Sequence, residues 1–190
     1  MREYIESYIQ DSIDAKLKLL ADKNMLSVIE NAANAIVETY KNGGKILTAG
    51  NGGSAADAQH IAAEFVSKFL YDRKALNAIA LTTNSSILTS VGNDYSHEHV
   101  FVRQIQAYGN NGDVFIAIST SGNSKNVLFA IQEAKLCGMK IIGLTGEKPS
   151  SMDELCDYLI KVPSEKTPVI QESHIMIGHI ICALVEEELM

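Results

Sequence analysis

Apolar residues recur at three- and four-residue intervals over residues 4–21 (Ile5, Ile9, Ile13, Leu17, Leu20) and 25–41 (Val28, Ile29, Ala32, Ile36, Val37). That period paints one face of an α-helix, so two helices are predicted before Asn42-Gly43-Gly44 stops the second. Beyond them the pattern changes to short apolar runs separated by longer amphipathic stretches. Strands are predicted over 45–49, 75–81, 113–118, near 140–144 and near 158–162. Helices are predicted over 54–69, near 84–91 and 97–107, over 124–137 and from about 168 to 188. Runs such as Val114-Phe115-Ile116-Ala117-Ile118 and Ile141-Ile142-Gly143-Leu144 show no polar alternation, as expected of parallel strands buried on both faces. The alternation predicts an α/β chain with a doubly wound, five-stranded parallel sheet. No linker composition interrupts it, so residues 1–190 are expected to form one domain with residues 1–42 as an N-terminal helical segment.

Composition narrows the partners. The chain carries 16 Lys and Arg against 23 Asp and Glu, a net charge of −7, with the basic residues scattered. Nucleic acid and anionic membrane surfaces are therefore not expected partners. Neither the charged start, Met1-Arg2-Glu3-Tyr4, nor any later stretch reads as a signal peptide or membrane span, so a cytoplasmic location is expected. Cys137, Cys156 and Cys182 are far apart in apolar surroundings and fit reduced, packed thiols without a chemical role.

Two strand-to-loop units carry the candidate chemistry: Ala49-Gly50-Asn51-Gly52-Gly53-Ser54 and Ile118-Ser119-Thr120-Ser121-Gly122-Asn123-Ser124. Glycines let backbone approach a ligand, and each loop feeds a helix whose N-terminal N–H groups favour an anion. Both lie at strand carboxyl ends, where doubly wound sheets bind ligands, so the two can line one cleft. The first also satisfies G-x-G-x-x-A, but the second strand ends Ala80-Leu81-Thr82-Thr83-Asn84, without the acid a dinucleotide ribose needs. No G-x-x-x-x-G-K-[ST] occurs. Ser54 and Ser124 alone would pass as helix N-caps. Hydroxyls at Ser119, Thr120, Ser121 and Ser124 exceed what capping requires and suit a phosphate.

Two helices present polar pairs. His60 and Glu64 are four apart on the helix after the first loop, hence on one face, and Gln171 and His179 lie two turns apart on the last helix. By spacing alone such a His/Glu pair is a surface ion pair. The alanine-rich stretch Ala55–Ala63, which admits a close neighbouring helix, and the apolar flanks of the last helix favour desolvated acids, bases or metal ligands instead. His97, His99 and His174 lack comparable partners and are expected to be structural or solvent-exposed.

These motifs, with Asp57-Ala58-Gln59-His60, Val91-Gly92-Asn93-Asp94, Leu144-Thr145-Gly146 and Ile170-Gln171-Glu172-Ser173-His174, resemble the sedoheptulose 7-phosphate isomerases of the sugar isomerase (SIS) domain family over essentially the whole chain. The resemblance implies a flavodoxin-like three-layer sandwich and contact of the sugar phosphate by Asn51, Gly52, Gly53, Ser54, Glu64, Asn93, Asp94, Ser119, Thr120, Ser121, Ser124 and Gln171. It implies Glu64 and His179 as the acid/base pair, and one zinc per subunit at His60, Glu64, Gln171 and His179. It further implies homotetramers with active sites shared between adjacent subunits, and a product that feeds lipopolysaccharide or capsule heptose. Val169 stands where many relatives have a basic residue. Glu147-Lys148-Pro149-Ser150-Ser151 replaces a glycine-rich turn and is expected to alter only a surface loop. The rival within the family is a non-catalytic tetrameric adaptor that binds the replication initiator DnaA. That type lacks the Glu and the final His, which this chain keeps as Glu64 and His179. A sugar-phosphate-sensing regulator and another phosphosugar isomerase are the further alternatives.

Overall fold

Five short strands carry the interior: β1 (Ile46–Gly50), β2 (Ala78–Ala80), β3 (Val114–Ile118), β4 (Lys140–Gly146) and β5 (Tyr158–Val162). In this computed structural model, which describes residues 1–190, they form one sheet of order β2-β1-β3-β4-β5 with every pairing parallel. Successive strand residues point to opposite faces. Val114, Ile116 and Ile118 accordingly join one apolar cluster, while Phe115 and Ala117 join another. Both faces of the sheet are thus buried, which is why the strands read as continuous apolar runs.

The first cluster is covered by α2 (Lys23–Lys41), α3 (Gly53–Val66) and α7 (Thr167–Glu188), with α1 (Arg2–Ala21) resting on α2 and α7. The second is covered by α4 (Ser85–Asp94), α5 (Val102–Tyr108) and α6 (Lys125–Leu136). The result is the predicted three-layer α/β sandwich. The strand order reverses between β1 and β3, so the loops leaving their carboxyl ends diverge and open a crevice there.

Three predicted elements differ in extent. The helix predicted over 54–69 stops at Val66, and the strand predicted over 75–81 shrinks to three residues. Both changes trace to Arg73, which bends the connection back: its guanidinium donates to the carbonyls of Glu64 and Phe65, each at 2.9 Å, capping α3. Leu76 N also donates to Phe65 O rather than to a strand. The helix predicted over 97–107 is split into a 3-10 turn, His97–His99, and α5; the hydroxyl of Ser96 takes the N–H of Glu98.

Two expectations about exposure change as well. In α1 the predicted apolar stripe of Ile5, Ile9, Ile13, Leu17 and Leu20 is 44–67% exposed, and only Ala15 and Leu19 are buried. α7, contrary to the expectation of no such stretch, is long and apolar enough to cross a membrane by length and composition. Its apolar character serves the core instead: it packs on α2, α3 and β4 and carries the buried polar residues His174 and Glu186.

Glu186 is the anchor of this face. Its carboxylate, 1% exposed, accepts the N–H groups of Phe69, Leu70 and Tyr71 at 3.0, 2.6 and 3.1 Å. Arg73 Nε lies 2.9 Å from Oε1, an ion pair without hydrogen-bond alignment. Burial pushes the carboxyl pKa up, but the three N–H groups and Arg73 outweigh it and hold the group below its ordinary value. Removing one partner of a buried pair leaves the other uncompensated, so Glu186→Ala is expected to cost about 3–5 kcal/mol in denaturant unfolding. Because the folded pKa is depressed, Glu186 stabilises fully above its unfolded pKa of about 4.3 and ceases to do so as pH falls through the folded value. Glu186→Gln should therefore show a shallower acid loss of stability in melts between pH 6 and 3 than the natural chain.

Candidate active site

The two loops meet as predicted. β1 ends at Gly50, Asn51-Gly52 turns, and α3 begins at Gly53; β3 ends at Ile118, and Ser119–Ser124 lead into α6. A cleft of about 260 Å³ is lined by Asn51, Gly53, Ser54, Thr120, Pro168 and Gln171 together with Thr167, so both loops and the start of α7 share it. The serines do not serve as side-chain caps. Ser54 lies inside α3, and Ser124 sits at the N-cap of α6 without a capping bond. Instead the Ser119 hydroxyl lies 3.0 Å from that of Ser124 and 3.5 Å from that of Ser121. Three hydroxyls thus converge at a helix N-terminus, an arrangement of neutral donors that suits a phosphate.

The turn over 147–151 is not only a surface loop, contrary to expectation. Ser151 donates its N–H and its hydroxyl to Asn123 Oδ1, each at 2.9 Å, while Asn123 Nδ2 donates to Ser121 O. Gly122 has φ +64°, and a Cβ there would meet Ser150 Oγ at 2.3 Å, so the turn presses directly on the hydroxyl loop. Only a glycine accepts both that backbone angle and that contact.

α3 and α7 deliver the titratable groups. His60 Nε2 lies 3.0 Å from His179 Nε2 and 3.1 Å from Glu64 Oε1. Ligand atoms of all three fall within 4.8 Å of one another, a grouping able to hold a metal ion. Two imidazole nitrogens and one carboxylate oxygen are donors of the kind that zinc accepts. The approach is possible because α7 carries Gly178 where it crosses α3: a Cβ there would meet Ile61 Cδ1 at 2.7 Å. Phe69 stacks on His179, with centroids 5.5 Å apart. His60, expected to be desolvated, has a side chain 50% exposed within one chain. It shares an outward face of α3 with Ala56 and Ala63, whereas Ala58 and Ala62 of the same alanine-rich stretch are buried in this chain's own core.

Gln171 stands one layer away. Its Nε2 donates to both carboxylate oxygens of Asp57, at 2.7 and 2.8 Å. Burial raises the pKa of Asp57, opposed by that hydrogen bond and by His60 and His179 nearby. Residue type and spacing alone give Asp57 no role; its place three residues before His60, on the same helical face, was the available signal. Asn126, also missed, pairs its amide with that of Asn51 and lies 3.3 Å from His97 Nε2, so His97 has a partner beside the first loop. No sequence pattern pointed to that contact.

Asn93 and Asp94 are exposed at the end of α4, bonded to each other, and line neither the cleft nor its extension past Thr120. Val169 is buried and faces the interior. His174 is structural as expected: fully buried, with its Nε2 3.1 Å from Thr145 O and its pKa pushed by burial down to about 4. His99 contacts Ser96 Oγ at 2.8 Å.

A doubly wound sheet with a glycine loop and a hydroxyl loop at its switch point sets the class by fold, and the model of the SIS domain matches residues 7–146. The chain belongs to the SIS domain family. It is 60% identical over 187 residues to the phosphoheptose isomerase of Aneurinibacillus thermoaerophilus, covering 98% of this chain and 94% of that one. Solved structures of phosphoheptose isomerases superpose with TM-scores of 0.91 (Neisseria gonorrhoeae, 41% identical, 98% of each chain) and 0.93 (Francisella tularensis, 38% identical, 97% of each chain).

Filling the crossing point should separate the cluster. Gly178→Ala overpacks against Ile61 and is expected to cost about 1–3 kcal/mol in thermal or denaturant unfolding. It should also weaken binding of added Zn²⁺ measured by calorimetry, since the displacement moves His179 away from His60.

Proposed function

We propose that the chain is an aldose–ketose isomerase that converts D-sedoheptulose 7-phosphate to D-glycero-D-manno-heptose 7-phosphate, the first step toward ADP- or GDP-heptose for bacterial surface glycans. The observation that carries this reading is the convergence of His60, Glu64 and His179 on the two helices whose earlier residues Gly53, Ser54 and Gln171 line the cleft. A binding module needs the seat but has no use for the cluster.

In this reading Ser119, Ser121 and Ser124 hold the phosphate at the N-terminus of α6, while Asn51, Gly52, Gly53, Ser54, Thr120 and Gln171 orient the sugar chain along the cleft. Isomerisation moves one proton from C1 to C2 and another between the two oxygens. Glu64 takes the C1 proton as His179 protonates the C2 oxygen, giving the enediol. His179 then removes the proton from the C1 oxygen as Glu64 returns its proton to C2. His60, within reach of both groups, keeps them oriented. Zinc, when bound by His60, Glu64, Gln171 and His179, supplies Lewis acidity toward the carbonyl and diol oxygens. Three of these donors, on His60, Glu64 and His179, already converge, and the bond from Gln171 Nε2 to Asp57 leaves the Gln171 amide oxygen free as the fourth.

A homotetramer with active sites shared between subunits is part of the proposal. It is supported by the uncovered apolar stripe of α1, by the outward face of α3 bearing His60, and by the placement of Asn93 and Asp94 away from their own chain's cleft. The three free cysteines suit the reducing cytoplasm, where a phosphorylated sugar is available.

Incubation with sedoheptulose 7-phosphate, followed by NMR, should show the aldose heptose phosphate accumulating, and more slowly after chelation. Loss of general acid/base catalysis costs roughly 10²- to 10⁴-fold, so Glu64→Gln should lower kcat by at least that much without changing the assembly seen by light scattering. Near-normal turnover by Glu64→Gln, or no conversion by the natural chain with or without metal, would overturn the assignment.

A further inference from the structure

Asn126 sits in the first turn of α6, two residues beyond Ser124, and is 3% exposed. Its amide meets that of Asn51 head to tail: Asn51 Nδ2 donates to Asn126 Oδ1 and Asn126 Nδ2 to Asn51 Oδ1, both at 2.8 Å. The remaining N–H of Asn126 is placed toward His97 Nε2, 3.3 Å away. Asparagine has two donors and one two-lone-pair acceptor, so three of its four bonding positions are engaged by elements distant in sequence. Asn51, by contrast, is exposed between Gly50 and Gly52 on a turn where Gly52 has φ +55°. Such a turn imposes no side-chain orientation of its own. The Asn126 pairing supplies it while leaving one Nδ2 hydrogen and one Oδ1 lone pair of Asn51 unused.

We propose that Asn126 is a positioning residue for the sugar-phosphate cleft: it presents the Asn51 amide to the ligand and locks the first loop to the helix that carries the phosphate seat. The inference rests on Asn51 being a substrate contact, as in the proposed function. His97 completes the device. In the tautomer whose Nε2 accepts, its ring favours the orientation of Asn126 in which the amide nitrogen faces the ring. The flipped orientation would set Oδ1 against that acceptor. Without Asn126 the Asn51 side chain rotates freely in the unbound protein, and its ordering must come out of binding.

A double-mutant cycle tests this, with kcat and KM for sedoheptulose 7-phosphate, its calorimetric Kd and the melting temperature measured for the natural chain, N51A, N126A and N51A/N126A. One net hydrogen bond corresponds to roughly a 3- to 10-fold change, so N126A should raise KM and Kd by about that factor with kcat within about twofold. N51A should raise them as well, and the double variant should be no worse than N51A alone, because Asn126 acts through Asn51. N126D preserves volume should N126A melt far below the natural chain. It keeps only the bond from Asn51 Nδ2, so it should raise KM at least as much. Multiplicative effects in the double variant, or unchanged KM and Kd in both N126A and N126D, overturn the positioning role alone. Unchanged KM and Kd in N51A overturn the assignment of Asn51 and this inference with it.

Discussion

The close crossing of α3 and α7 is the constraint on which the rest of the structure depends. At Gly178 the two helices touch through Ile61 with no room for another methyl group. Three polar links hold the crossing along its length: Asp57 with Gln171, His60 and Glu64 with His179, and Glu186 with residues 69–73 at the far end. The outer two join buried or half-buried partners across the helices, whereas the middle one gathers the ligand atoms of His60, Glu64 and His179 within 4.8 Å of one another. A site of this kind needs rigid supports on both sides, since a displacement of an ångström in either helix would break the convergence.

The hydroxyl side of the cleft is built on the same logic with neutral groups. Hydroxyls that could cap helices bond to one another instead, and each loop is held by an asparagine: Asn126 grips Asn51, and Asn123 ties the hydroxyl loop to Ser151. The net charge of −7 is compatible with the proposed anionic ligand because local N–H and O–H donors can hold an anion without a basic patch.

Much of this was legible from residue order. Strands buried on both faces read as apolar runs, the glycine and hydroxyl motifs stood at strand ends, and His60–Glu64 declared a shared helical face. The bounds that shifted did so where a distant side chain intervened: Arg73 capping α3 shortened both that helix and β2. The roles of Asp57, Asn126 and the Ser150-Ser151 turn were not legible because each draws its meaning from a partner 28 or more residues away: Gln171, Asn51 and Asn123.

Residue order by itself determined what depends on local periodicity and local backbone chemistry: the doubly wound sheet, the loops at strand ends and the two polar helix faces. Tertiary structure decided which faces meet. It turned the stripe of α1 outward, set His60 rather than Gln171 against His179, and made an apolar helix with the length of a membrane span part of the core. The physical reason is that helical or strand spacing is a property of one segment, whereas a hydrogen bond or ion pair between segments exists only once packing has chosen their register.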